Sequence, residues 1–243
     1  MRDALRSAKV FVGGQAILTV SAAAMTAVRA VRPNSGRRIS QQTIGAWAGR
    51  ALLRLNRVEL RGEHDAPWPT GPCFFMANHS SSLDLPVLMA LGLPNSRTFI
   101  KERFRWYGSL GAVLWLTGTF FTAPQEEHER RVQRFAEATE TLRRTGESVF
   151  GSPEGMRVVG HEIGPFNKGV FHIVTALKLP IVPLLIEIPP DVDPGTGIAA
   201  GPGTVTVHVG TTIDTSTWTL HDLDANTQAV RERFVAWNAE IRA

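Results

Sequence analysis

A histidine and an aspartate stand five positions apart in Asn78-His79-Ser80-Ser81-Ser82-Leu83-Asp84, directly after the apolar run Cys73-Phe74-Phe75-Met76-Ala77. A carboxylate on one imidazole nitrogen fixes the tautomer and leaves the other nitrogen as a general base. It also stabilises the imidazolium that forms when the base takes a proton. A segment that turns from a strand end into a helix start can bring two such side chains together. The same residues have plainer uses. Asp84 could cap the helix that continues into Leu85-Pro86-Val87, and His79 could be an ordinary hydrogen-bonded loop histidine. Spacing alone leaves these open. No G-x-S-x-G elbow accompanies the pair, so Ser80, Ser81 and Ser82 are not set up as a serine nucleophile. A His–Asp pair without its own serine points to a nucleophile carried in by the substrate, as a hydroxyl.

A second candidate is Gly151-Ser152-Pro153-Glu154-Gly155-Met156-Arg157, directly after Ser148-Val149-Phe150. Pro and Gly build a turn that presents Glu154 and Arg157 together. The planar fork of arginine suits a phosphate; a salt-bridged turn is the plainer reading. A metal site would need further ligands; His161 with Glu162 could supply them, but their spacing matches no metal pattern, and no metal is expected. The single cysteine, Cys73, excludes a disulfide framework and a multi-cysteine zinc or iron–sulfur centre.

These segments lie in a body where short apolar runs alternate with helical stretches. Strands are predicted at 58–61, 73–77, 98–101, 119–122, 148–151, 181–188 and 204–209. Helices are predicted near 84–91, 107–116, 126–144, 169–177 and 220–241. Such alternation argues an α/β fold, an αβα sandwich with a mostly parallel central sheet. In such sheets functional residues collect on loops at strand ends, which is where both candidate segments fall. The chain has 243 residues, 43% hydrophobic and 20% charged, so it is neither disordered nor a polytopic membrane protein.

Charge is unevenly spread. Residues 1–61 carry eleven Lys and Arg against two acids, and the remainder carries fifteen against twenty. A basic arm on an acidic body suggests an anionic surface as partner. Residues 10–28 form a charge-free run of nineteen, bounded by Arg2, Arg6 and Lys9 before it and by Arg29, Arg32, Arg37 and Arg38 after it. That is long enough to span a bilayer, and a cleaved signal peptide is a competing reading. Beyond a polar linker at 32–42, Ile44, Trp47, Ala48, Ala51, Leu52 and Leu55 make one apolar helical stripe, with Arg50, Arg54 and Arg57 beside it. A basic amphipathic helix carrying a Trp suits a membrane interface; a helix docked on the core is the alternative. With Phe11 and Trp47 as its sole aromatics, the arm offers no stacking platform for nucleic acid. The expectation is a membrane-seated two-helix segment at 1–57, spanning or interfacial, followed by a domain at 58–243.

At these motifs the sequence resembles the glycerolipid acyltransferase family, whose best-known members are the 1-acylglycerol-3-phosphate (lysophosphatidate) acyltransferases. The family's N-H-x-x-x-x-D stands unbroken as Asn78 to Asp84. Its F-P-E-G-T-R resembles Ser152-Pro153-Glu154-Gly155-Met156-Arg157, its P-F-K-K-G resembles Pro165-Phe166-Asn167-Lys168-Gly169, and its V-P-V-V-P strand resembles Leu179-Pro180-Ile181-Val182-Pro183. Lys101, Gly111 and Gly118 match further positions. The resemblance implies an acyl-thioester-dependent O-acyltransferase of phospholipid synthesis, with His79 as general base and Asp84 as its orienter. It implies an acceptor site built with Glu154, Gly155, Lys101 and a phosphate-contacting Arg157, and acyl-CoA or acyl carrier protein as co-substrate without a further cofactor. A membrane lipid is the implied partner and the cytoplasmic face of the cell membrane the implied location. The family's second motif also supplies an arginine for the acceptor phosphate. Here Gly118-Thr119-Phe120-Phe121-Thr122 runs into Ala123-Pro124 with no basic residue, so Arg103 or Arg105 is a candidate replacement. Alternatives are a different lysolipid or glycolipid acceptor, a thioester hydrolase, or a lipid-binding relative without turnover.

Overall fold

The computed structural model describes residues 2–63, 68–158, 162–193 and 200–242. All seven predicted strands form: β1 (Val58–Glu63), β2 (Phe74–Ala77), β3 (Ser96–Lys101), β4 (Phe120–Thr122), β5 (Ser148–Gly151), β6 (Ile181–Glu187) and β7 (Gly203–Val209). They make one sheet in the order β1-β7-β6-β2-β5-β3-β4. The five strands from β6 to β4 are parallel, and β7 pairs antiparallel with β6. The helices of the body are α4 (Asp84–Leu91), α5 (Gly108–Leu116), α6 (His128–Thr145), α7 (Gly169–Leu177) and α8 (Leu223–Arg242).

The sandwich follows from the period-two geometry of its buried strands. Phe75 and Ala77 of β2 face a core shared with Val87 and Ala90 of α4. Phe74 and Met76 face the opposite core, with Leu142 of α6, Phe171 of α7 and Phe234 of α8. β2 is therefore covered on both faces and lies centrally, with its C-terminal end feeding Asn78 and His79. Because β2, β3, β4 and β5 are parallel, their carboxyl ends bring Asn78–Asp84, Lys101, Ala123 and Ser152–Arg157 to one edge of the sheet.

The arm consists of α1 (Arg2–Val31), the short α2 (Gly36–Ile39), a π-helical turn over Ser40–Gly45, and α3 (Ala46–Leu55). The linker expected over 32–42 is thus mostly helical, and the break is confined to Arg32–Ser35. Leu5–Val31 is long and apolar enough to cross a membrane. One face of α1, through Gly14, Leu18, Ser21 and Met25, is buried, while Phe11, Val12 and Val20 on other faces are exposed. α3 buries Ala46, Ala48, Gly49 and Leu53, and Leu53 belongs to the same core as Phe75 and Val87. Trp47, placed by the sequence in the apolar stripe, is exposed, as are Arg50, Arg54 and Arg57. A second tie runs from Arg37 to Glu147, just before β5, whose carboxylate also takes Arg97 of β3. The boundary at residue 57 therefore cuts through shared core. Removing α1 alone spares that core better than removing 1–57.

Candidate active site

The His79 ring stands at the end of β2 with its Nδ1 2.6 Å from Asp84 Oδ2. The same oxygen accepts the backbone N–H groups of Ser80 at 2.9 Å and Ser81 at 3.0 Å. Asp84 is buried, as the first residue of α4, and the imidazole is about one-third exposed. The carboxylate thus shapes the turn and holds the ring at once. With Nδ1 serving Asp84, the free tautomer position is Nε2, which has no partner among the described residues.

The turn is pinned from both sides. The Asn78 side chain pairs with Ile186 of β6 through both its atoms: Nδ2 donates to the carbonyl at 3.0 Å, and Oδ1 accepts the N–H at 2.8 Å. It extends the β2–β6 ladder beyond the Ala77–Leu184 register. On the other side, Glu154 Oε2 accepts the His79 N–H at 2.5 Å and Oε1 accepts the Gly164 N–H at 2.7 Å. Burial pushes the Glu154 carboxyl above its usual range, and those two N–H bonds and the neighbouring His79 pull it back. Both Glu154 oxygens serve backbone amides, so Glu154 joins the two candidate loops. Val158 N–H, bonded to the His79 carbonyl at 2.8 Å, joins them again.

Gly155 sits at φ +69°, where a Cβ would lie 2.9 Å from the Asn167 amide. That left-handed turn favours glycine. Asn167 donates to the carbonyls of Pro153 at 3.2 Å and Glu154 at 2.8 Å, fixing the turn that carries Arg157. Arg157 is half-buried, and Lys101 is exposed at the end of β3. Arg103 stacks on Phe104, while Arg105 stacks on Trp106 and Phe121. His161 lies outside the described residues.

Motif spacing does not show what three residues here do. Asn78 and Asn167 sit inside motifs, but their work is with distant backbone. Asp193, in the connection after β6, is buried and accepts the hydroxyls of Ser81 and Ser82. It holds the turn from 112 positions away. We expect Asp193→Asn to lower kcat by roughly tenfold to a hundredfold with both Michaelis constants nearly unchanged, the scale of a small misplacement of a catalytic group. Combined with Ser81→Ala, the loss should be less than additive in steady-state kinetics; additive losses would assign Asp193 elsewhere.

The family model "Acyltransferase" matches residues 57–187, more than half of the 243 residues. The chain belongs to this acyltransferase family. Among its relatives is the mouse 1-acyl-sn-glycerol-3-phosphate acyltransferase alpha, 30% identical over 186 residues, covering 76% of this chain and 65% of that protein. The Escherichia coli 1-acyl-sn-glycerol-3-phosphate acyltransferase is 29% identical over 146 residues, covering 60% of this chain and 59% of that protein. The match thus spans about two thirds or less of these relatives' own length. The acyltransferase fold is shared with the crystal structure of a 1-acyl-sn-glycerophosphate acyltransferase, PlsC, from Thermotoga maritima: TM-score 0.81 at 18% identity, covering 100% of this chain and 97% of that one. The α/β architecture read from the sequence is that of the family.

Proposed function

We propose that this acyltransferase moves a fatty acyl group from a thioester, acyl-CoA or acyl carrier protein, to the hydroxyl of a lysophospholipid, with 1-acylglycerol-3-phosphate giving phosphatidate as the leading acceptor. The observation that carries the reading is the 2.6 Å contact between His79 Nδ1 and Asp84 Oδ2 at the open end of a buried strand. His79 Nε2 takes the proton of the acceptor hydroxyl as its oxygen attacks the thioester carbonyl carbon. The carbon–sulfur bond breaks, the thiolate leaves and takes up a proton, and the new ester carries the acyl group. Asp84 stabilises the imidazolium formed on the way. No covalent acyl-enzyme is needed.

The acceptor's phosphate needs cations. Arg157 fills that role, with Lys101 at the neighbouring strand end. The position lacking an arginine after β4 has another nearby: Arg131, in the first turn of α6, donates to the Ala123 carbonyl at 3.2 Å and stacks on Phe135. We assign Arg131 the task left vacant there. Beside the site a narrow crevice runs between α4, β3 and α5, lined by Leu85, Met89 and Phe150 together with the polar Gln41, Arg97 and Thr98. Leu85 directly follows Asp84. The exposed apolar side of α1 seats the protein on the membrane that supplies the acceptor, at its cytoplasmic face.

Incubation of the full chain with a labelled acyl thioester and a panel of lysolipids, read by mass spectrometry, tests the assignment. Phosphatidate from 1-acylglycerol-3-phosphate is the expected product. Labelled free fatty acid alone would make the protein a hydrolase, and product from a lysoglycolipid or lyso-aminolipid alone would replace the acceptor.

A further inference from the structure

We propose that the catalytic domain itself carries a second bilayer contact, made of α5 and the turn before it, that takes an anionic lipid surface. The proposal rests on the lipid-acceptor reading above but adds a surface on the domain itself, beside the arm. α5, Gly108-Ser109-Leu110-Gly111-Ala112-Val113-Leu114-Trp115-Leu116, has no charged residue. It buries Gly111, Val113, Leu114 and Leu116, and leaves Gly108, Ala112 and Trp115 exposed. Those three positions, spaced four and three apart, form one outward stripe with no polar side chain on it. A helix bordering water would place polar residues there. The preceding turn adds Trp106, 81% exposed, and Tyr107, 54% exposed, to Trp115 at 58%.

The turn holds these rings out by design. A Cβ at Gly111 would lie 2.1 Å from the Arg105 carbonyl oxygen, so the turn sits directly on α5. Arg130 of α6 holds Glu102 at 2.8 Å, and the Ser109 hydroxyl donates to Gln15 of α1 at 2.6 Å. A turn seated on α5 and tied to α6 presents Trp106 at 81% exposure, while α5 is itself tied to α1. Exposed Arg103 and Arg105 flank that ring, and the Arg29 guanidinium lies 5.3 Å over Trp115. Tryptophan and tyrosine with arginine beside them match the headgroup layer of an anionic membrane. The patch also continues the arm, because α5 packs on α1 through Val113 and Leu116 against Leu18 and Met25. Trp106 follows the carboxyl end of β3, the end of the sheet that holds His79. Seating this turn in the headgroups aims the site at the bilayer.

The full-length protein and its Trp106→Ala/Tyr107→Ala/Trp115→Ala variant should be compared by sedimentation with vesicles of phosphatidylglycerol and phosphatidylcholine. The variant should partition roughly tenfold or more weaker, with an unchanged melting temperature and unchanged turnover of a short-chain acceptor dispersed as monomers. Arg103→Glu/Arg105→Glu should remove the preference for phosphatidylglycerol, about fivefold per arginine. Equal partitioning of variant and wild type overturns the proposal. So does a variant that changes only the oligomeric state in sedimentation velocity, which would assign the face to a second copy of the chain. Weaker partitioning without turnover of any lysolipid would uphold this surface and sink the acyl-transfer reading instead.

Discussion

His79→Ala is expected to lower acyl transfer by roughly 10²–10⁴-fold while leaving the protein folded. The ring is about one-third exposed and contributes to neither core cluster, so its loss removes a base, not packing. The backbone N–H that Glu154 holds at 2.5 Å remains in the alanine variant, so the turn keeps its inner tether. Asp84→Asn should cost nearly as much in rate, because an amide can favour the wrong imidazole tautomer. It should also cost stability. Asp84 Oδ2 gathers two backbone N–H groups as well as the ring, and leaving buried donors unmet costs about 1–3 kcal/mol. The two variants therefore separate catalysis from scaffolding: the first loses rate at constant melting temperature, the second loses both. A folded His79→Ala protein with more than about a tenth of the wild-type rate would remove His79 as general base.

The part of this site that was legible in the sequence is the part carried by neighbours in the chain. His79 and Asp84 span one turn, and a turn's spacing limits where its side chains can go. The strands were legible for the same reason, since Phe74 to Ala77 and Ile181 to Ile186 are continuous apolar runs that belong between two layers. What spacing cannot carry is a partner chosen by sheet order. β6 follows β2 by about a hundred residues yet lies beside it. Asn78 therefore finds Ile186, and Asp193, just past β6, finds Ser81. The arm shows the opposite limit. Its amphipathic stripe was legible, but a stripe names no partner. α3 turns Ala46, Gly49 and Leu53 to the domain, with Leu52 and Leu55 against α1, so the apolar side expected to meet lipid mostly meets protein. Trp47 stays out.

The acceptor end is where geometry and sequence differ most, and where the second large effect is expected. A phosphomonoester leaving water for a partly covered site needs positive partners that are already in place. The chain has no base after β4 within Gly118–Pro124, but Arg131 reaches the same place from α6 and is held there by the Ala123 carbonyl and the Phe135 ring. Arg157 comes from a turn locked by Glu154 and Asn167. Arg131→Ala and Arg157→Ala should each raise the KM for 1-acylglycerol-3-phosphate, or lower kcat/KM, by roughly tenfold or more, the equivalent of about 1.5–3 kcal/mol for a lost charged hydrogen bond. The thioester KM should move much less. For a monoacylglycerol, which has no phosphate, neither substitution should change the acceptor KM, since no charge is there to lose. Arg131 has a structural duty too, so the melting temperature must be followed beside the kinetics. A selective acceptor defect in a stable protein assigns the guanidinium to the phosphate. Parallel loss of stability and of activity on both acceptors would reduce Arg131 to a tether between α6 and the end of β4.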